Sequence, residues 1–395
     1  MRTRVLVLSL LLALLPAPWV RAESDKGVSA RPPAPQREMT PEEKADAEIG
    51  KSAAEEVEKY YKKRHKKVKD SPDVPRIMAI IDRVRPVTEK PRQTYHVKII
   101  EDQEINAFSL PGGYLYYTEG LLKAVESEDE LAAITAHEMA HVCLNHARKL
   151  MARDQRYSNV LTPVIIASIL ARSESVDPMA IAVVGSLVVQ DALNHYGREA
   201  ELEADLAAIR YLHAGKQYNP VAVLTVVEGL AHIESGYPPL EQGIQQTHPF
   251  PKDRIAAVIC ELTALKIPIE RRRVANLLVV TATPMTKDGR EIGELRLNRH
   301  LLAQPATELG GASPAARAQR SAETLNEMLL ADLQPLEISL LYKGDTATLS
   351  ARGETILTIT PDDAAFHNTT VQALAQQAVA AIRAGFQEEK LKRAY

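Results

Sequence analysis

Five consecutive residues, His137-Glu138-Met139-Ala140-His141, constrain this chain more than any other stretch. They sit in a strongly helical segment that opens at Ser127, with Glu130 three residues on in the manner of a capping box. The pattern predicts one helix from there to about residue 152. At about 100° per residue, positions four apart return to nearly the same helix face. His137 and His141 can therefore grip one ion, and Glu138 lies close enough to hold the water that such an ion binds. Zinc suits imidazole and carboxylate ligands and keeps one position open for that water. The same five residues also arise by chance, as two surface histidines beside a glutamate, so a third ligand has to decide.

A histidine ten residues after the first would be one solution, but Ala147 stands there. His146 is close by, yet on an unbroken helix it lies about 180° around from His137, which gives it a structural role. A carboxylate from a later helix is the other solution, and residues 198–205 supply several. Glu201 and Asp205 are four apart and share a face, whereas Glu203 points away from both. One of the pair can bind metal while the other orients a ligand histidine. The plain alternative is an acidic first turn favoured by the helix dipole.

The N-terminus has the layout of a secretory signal: Arg2 and Arg4, an apolar run over residues 5–15, then Val20-Arg21-Ala22. That run falls well short of the ~20 residues needed to cross a bilayer. Cleavage after Ala22 and a periplasmic or otherwise secreted location are expected. Residues 23–40, rich in proline and charge, read as a disordered lead-in. Residues 41–265 then form one domain and residues 270–395 a second.

A net charge of -3 gives no pull toward nucleic acid, and the basic run at 62–69 reads as a solvated helix end. The two cysteines, Cys143 and Cys260, read as buried thiols. Helices are expected at about 41–69 and 74–86, a strand at 95–100, and two short strands around the Pro111-Gly112-Gly113 turn. Two apolar segments, 160–171 and 179–189, are too short to cross a membrane unaided and read as buried helices or a hairpin against the site. A gating role is expected of them. Helix resumes at 199–212 and continues to about residue 265. Beyond it, strands at 277–282, 292–297, 338–342, 346–350 and 356–359 alternate with helices at 315–330 and 371–386.

Several of these motifs together resemble the zinc metalloprotease family of the CAAX prenyl endopeptidases and HtpX, in its periplasmic BepA-like branch. The family's HExxH is matched by 137–141, and its Arg-x-x-Glu-x-x-Ala-Asp by 198–205. Asn106-Ala107-Phe108 and Pro111-Gly112-Gly113 match its strand before the motif, and Thr247-His248-Pro249 with Arg254 its later elements. The resemblance covers about residues 40–262. It implies a mainly α gluzincin-type metallopeptidase domain with a small β-sheet, followed here by a small α/β C-terminal domain without a counterpart. It also implies one Zn2+ per chain on His137, His141 and Glu201, with Asp205 behind the ligands and Glu138 as the base. His248 and Arg254 become donors to an oxyanion, and His248 a visitor to the metal at rest. Asn106, Gly112 and Gly113 become substrate-binding residues on a strand edge. The expected substrates are proteins or peptides, such as misfolded envelope proteins. Envelope complexes or the membrane surface are the partners to consider, and nucleic acid is not. The rival reading is an envelope interaction or assembly factor in which proteolysis is subordinate.

Overall fold

The computed structural model describes residues 39–69, 71–153, 196–236 and 251–392, together with Gly185 and Val188. The leader and lead-in, nearly all of the 160–190 segment, and His248 lie outside the described residues.

Helix α1 (Pro41–Lys63) begins at a full capping box: the Thr40 hydroxyl accepts the Glu43 N–H and the Glu43 carboxylate accepts that of Thr40. Ile49, Ala53, Val57 and Tyr61, spaced by four, turn one stripe of α1 onto Phe108, Leu110 and Tyr116. A Cβ on Gly50 would come within 2.0 Å of the Pro111 carbonyl oxygen, so glycine alone lets α1 lie on that turn. The helix ends at Lys63, and the basic run continues into strand β1 (Val68–Lys69) instead of prolonging the helix.

After α2 (Asp73–Val84) come β2 (His96–Ile100), β3 (Ala107–Leu110) and β4 (Tyr114–Thr118), joined to β1 in the order β1-β2-β4-β3. β2 and β4 run parallel and the other pairs antiparallel, which leaves β3 at the edge. Thr118 closes this end of the sheet. Its hydroxyl accepts from the Asn106 N–H at 3.0 Å, and its own N–H donates back to the Asn106 carbonyl. Gly112 has φ 74°, and a Cβ on Gly113 would meet the Thr94 carbonyl oxygen at 2.1 Å. Both glycines thus serve tight backbone packing in this turn.

Short α3 (Glu119–Ala124) leads to α4 (Glu128–Cys143), which is buried at every residue from Glu130 onward. Its sequence is apolar or small on all sides except at the motif, so it is a central helix with neighbours all round. Only half of the expected capping box forms. Ser127 accepts the Glu130 N–H, while the Glu130 carboxylate accepts from the Glu126 N–H and the Thr225 hydroxyl. The helix also stops short of residue 152. Leu144 caps it, Asn145 takes a left-handed φ of 59°, and α5 (His146–Arg153) starts afresh. Lys90 holds the break, its ammonium bonded to the Val142 carbonyl at 3.0 Å and to Asn145 Oδ1 at 2.6 Å.

Helices α6 (Arg198–Gly215) and α7 (Val221–Gly236) pack on α4, α8 (Pro251–Ala264) packs on α6 and α7, and all share one apolar core. On α8 the buried positions are Arg254, Val258 and Leu262, four apart. Cys260 faces the other way and is exposed, so the expectation of two buried thiols holds only for Cys143. Among the described residues no helix is long and apolar enough to cross a membrane.

The chain then builds a second core. Short α9 (Arg271–Val274) precedes an antiparallel sheet of β5 (Val280–Lys287), β6 (Arg290–Leu297) and β7 (His300–Ala303). Helix α10 (Pro314–Leu330), a second antiparallel sheet of β8 (Ile338–Lys343), β9 (Thr346–Ala351) and β10 (Glu354–Ile359), and helices α11 (Pro361–Phe366) and α12 (Val371–Lys392) complete it. The short elements β7 and α11 were not expected from sequence, because four and six residues carry too little periodicity to read. At α9 adjacent arginines tie the two parts together. Arg271 pairs with Glu228 of α7 at 2.7 Å, and Arg272 pairs with Glu389 of α12 at 2.7 Å. The described residues from Thr40 onward belong to one compact unit.

Asp363 is the polar hub of the second core. It pairs with buried Arg317 through both oxygens, at 2.7 and 2.9 Å, and accepts the backbone N–H groups of Ala306 and Thr360. Burial works against its charge, but Arg317 and those donors outweigh it and bring the pKa down to about 2. A depressed carboxylate stabilises above its unfolded pKa of about 4 and loses that contribution as pH falls through the folded value. Asp363→Asn should therefore cost about 3 kcal/mol at pH 7 in urea unfolding, and the gap to wild type should close between pH ~4 and ~2.

Candidate metal centre

Helix periodicity places His137 and His141 one turn apart on buried α4, with their rings 4.7 Å apart. Helix α6 lies across them and brings Glu201, fully buried, to both rings. Its Oε2 is 3.4 Å from His137 Nε2 and its Oε1 is 3.4 Å from His141 Nε2. The two Nε2 atoms are 3.0 Å from each other. Ligands on a tetrahedral metal with bonds of about 2.0–2.1 Å stand about 3.3–3.4 Å apart, so this donor set already has nearly the spacing zinc requires. Among the described residues, His137, His141 and Glu201 are the one such cluster of buried groups.

The outer nitrogens explain why the inner ones converge. His137 Nδ1 donates to Asp205 Oδ1 at 2.9 Å, which leaves its Nε2 lone pair facing Glu201. His141 Nδ1 lies 2.8 Å from His146 Nδ1, and His146 Nε2 lies 3.1 Å from Glu203 Oε2. Lone pairs meeting at 3.0 Å repel unless a cation or proton lies between them. Burial disfavours the charged form of His137, but its bonds to Asp205 and Glu201 outweigh that and raise its pKa. At His141 burial wins and the pKa is lowered. Burial and the neighbouring His141 push His146 down to about 3, so it is neutral at pH 7.

Arg254 of α8 sets the charge balance. Its Nε and Nη2 bond both Asp205 oxygens at 2.7 and 2.8 Å, and its Nη1 reaches Glu201 Oε2 at 3.1 Å. Although burial opposes its charge, those carboxylates raise the pKa of Arg254. Burial also works against the charge of Asp205, but Arg254 and then His137 outweigh it and hold its pKa below the ordinary value. Sequence alone read Arg254 as an oxyanion donor. The structure instead bonds its buried guanidinium to Asp205 and to Glu201. Glu138, Glu201 and Asp205 are buried around this guanidinium, three carboxylates to one cation among the described residues here. A divalent ion would bring that interior to neutrality, as buried charge requires. Both spacing and charge therefore fit zinc.

Glu138 is 1% exposed and shares a pocket with His137, Asp205 and Arg254, whose other wall is apolar: Ile134, Val223, Val226 and Leu230. On the opposite side Tyr196 stacks on the His141 ring at 4.5 Å, and its hydroxyl donates to the Ser109 carbonyl of edge strand β3 at 3.0 Å. Gly112 lines that side too, whereas the Asn106 backbone is held by Thr118. Tyr196 and the His146–Glu203 contact were missed from sequence. Asn145 was the available signal for the latter, since it favours the left-handed stop that ends α4.

Residues 73–260 match the model of peptidase family M48, and residues 294–389 match a domain of unknown function, DUF8459. The beta-barrel assembly-enhancing protease of Escherichia coli (strain K12) is 29% identical over 163 residues, 41% of this chain and 33% of that protein. Its counterpart in Yersinia pestis is 28% identical over 166 residues, 42% of this chain and 34% of that protein. The mitochondrial metalloendopeptidase OMA1 of Schizosaccharomyces pombe is 27% identical over 182 residues, 46% of this chain and 51% of that protein. The chain thus spans about a third to a half of the curated relatives it matches.

Elemental analysis should find one zinc per wild-type chain and a marked loss in His137→Ala, His141→Ala and Glu201→Ala. Arg254→Met should lower the stability of zinc-free protein by about 3–5 kcal/mol, because it strands two buried carboxylates. A wild-type melting temperature in that variant would contradict the charge argument.

Proposed function

We propose, from the premise that residues 73–260 are a peptidase family M48 domain, that this chain is a zinc-dependent metalloendopeptidase of gluzincin type. The observation that carries the reading is a buried His-His-Glu donor set with Glu138 on the same helix turn. When bound by His137, His141 and Glu201, zinc supplies Lewis acidity toward a scissile carbonyl and toward water. Glu138 is the proton carrier. It takes a proton from the attacking water and hands it to the leaving amine, and its burial beside apolar walls keeps other water away. Asp205 holds His137 in its ligating tautomer, and Arg254 holds Asp205 and Glu201 in register. The apolar wall of Ile134, Val223, Val226 and Leu230 suits an apolar side chain next to the cleaved bond. Strand β3, at the sheet edge, is where an extended substrate would pair through its backbone. His248 is retained as an oxyanion donor and gate, on the resemblance of its motif alone.

The N-terminal layout supports action after export, in the periplasm, on misfolded or envelope proteins. A second reading takes support from the relatives' name, beta-barrel assembly-enhancing protease. In it the chain serves envelope assembly and proteolysis is subordinate, with residues 294–389 as the docking part.

Glu138→Gln separates chemistry from binding, because it removes the proton acceptor and keeps the shape. The variant should fold, hold zinc and fail to cut casein by a factor of about a hundred or more. Casein cleavage near the wild-type rate would exclude the mechanism. Full rescue of an envelope defect by the same inactive variant would favour the assembly reading.

A further inference from the structure

His141 presents one ring nitrogen to the metal ligands, and its other nitrogen meets a residue outside the ligand set. On an unbroken helix His146 would stand about 140° around from His141, five residues on. The break at Leu144 and Asn145, held by Lys90, swings His146 back until its Nδ1 is 2.8 Å from His141 Nδ1. His146 is 2% exposed there, and its Nε2 reaches Glu203 of α6 at 3.1 Å. Lys149 pins that carboxylate from the next turn of α5 at 3.0 Å.

Two neutral imidazoles meeting through like nitrogens need one donor and one acceptor between them. Glu203 is an ionised carboxylate and only accepts, so it fixes the His146 proton on Nε2 and leaves Nδ1 as a lone pair. That lone pair fixes the His141 proton on Nδ1. The only lone pair left on His141 is then on Nε2, toward His137 and Glu201. We infer that His146 and Glu203 are positioning residues for the metal, a two-residue relay that fixes His141 in its ligating tautomer. Asp205 does the same for His137 in a single step. Glu203 leaves α6 on another face and needs His146 to span the gap. The relay rests on the zinc reading, although the tautomer itself is a property of the metal-free protein.

The test uses full-length protein with 15N-labelled histidine, whose two-bond nitrogen–proton correlations report tautomers. In zinc-free wild type, His141 should carry its proton on Nδ1 and His146 on Nε2. Zinc Kd, from competition with a chelator, should rise about 10–100-fold in His146→Leu. His146→Asn, whose amide oxygen can take the place of the Nδ1 acceptor, should recover most of that loss. Glu203→Ala, at a half-exposed position, should keep the wild-type melting temperature yet weaken zinc by about threefold to tenfold. A His141 proton on Nε2, an Asn variant as weak as Leu, or an unchanged Kd in Glu203→Ala would each overturn the relay. Wild type that takes up no zinc would sink the metal reading, and the spectra would still decide the relay. If His146→Leu fails to fold, the spectra and Glu203→Ala decide.

Discussion

Buried charge is the constraint around which the first of the two cores is arranged. Glu201 and Asp205 of α6 lie fully desolvated against His137 and His141 of α4, and Arg254 of α8 completes the set. Withdrawing such groups from water costs several kcal/mol each unless every one meets a partner in good geometry. The cost fixes the register of three helices at once. A slip of one turn by α6 would part Asp205 from His137 and from Arg254 together, leaving charges in an apolar core. Apolar packing alone tolerates such slips far better, because it has little directional preference.

The same constraint explains the character of α4. A helix buried on every side from Glu130 to Cys143 has no solvent face on which to park polar groups. Glu130 is tied to Thr225, Thr135 to Tyr117, and the histidines to α5 and α6. The enclosure is uneven, and that makes a reaction site possible. One side of Glu138 is an apolar pocket, and the other side of the motif faces edge strand β3 through Tyr196.

Arginine paired with carboxylate recurs as the fastening of the second half. Arg317 and Asp363 close its interior, as Arg254 and Asp205 close the candidate metal centre. At the junction Arg271 and Arg272 sit side by side on one short helix and reach in different directions, to Glu228 and to Glu389. Planar guanidinium groups suit these places because two parallel hydrogen bonds fix direction as well as distance. Two cores that share little apolar contact are thereby held as one compact unit.

What is local or periodic was legible in the residues alone. Four-residue spacing is enough to put His137 with His141, and Glu201 with Asp205, on common faces, because helix geometry repeats every 3.6 residues whatever surrounds it. Alternating β-branched stretches likewise gave away most strands of the second half. Tertiary structure decided everything that depends on where one helix ends and which way its neighbours face. The 100° rule set His146 aside because it assumed one continuous helix, and Asn145 ends that helix one residue earlier. Arg254 looked like a donor to substrate, yet the packing of α8 on α6 turned it inward. Cys260 came out exposed by the same logic, since its place on α8 follows from Arg254, Val258 and Leu262 facing in. Local geometry propagates only as far as a helix stays unbroken, and beyond that point partners are chosen by the burial of charge.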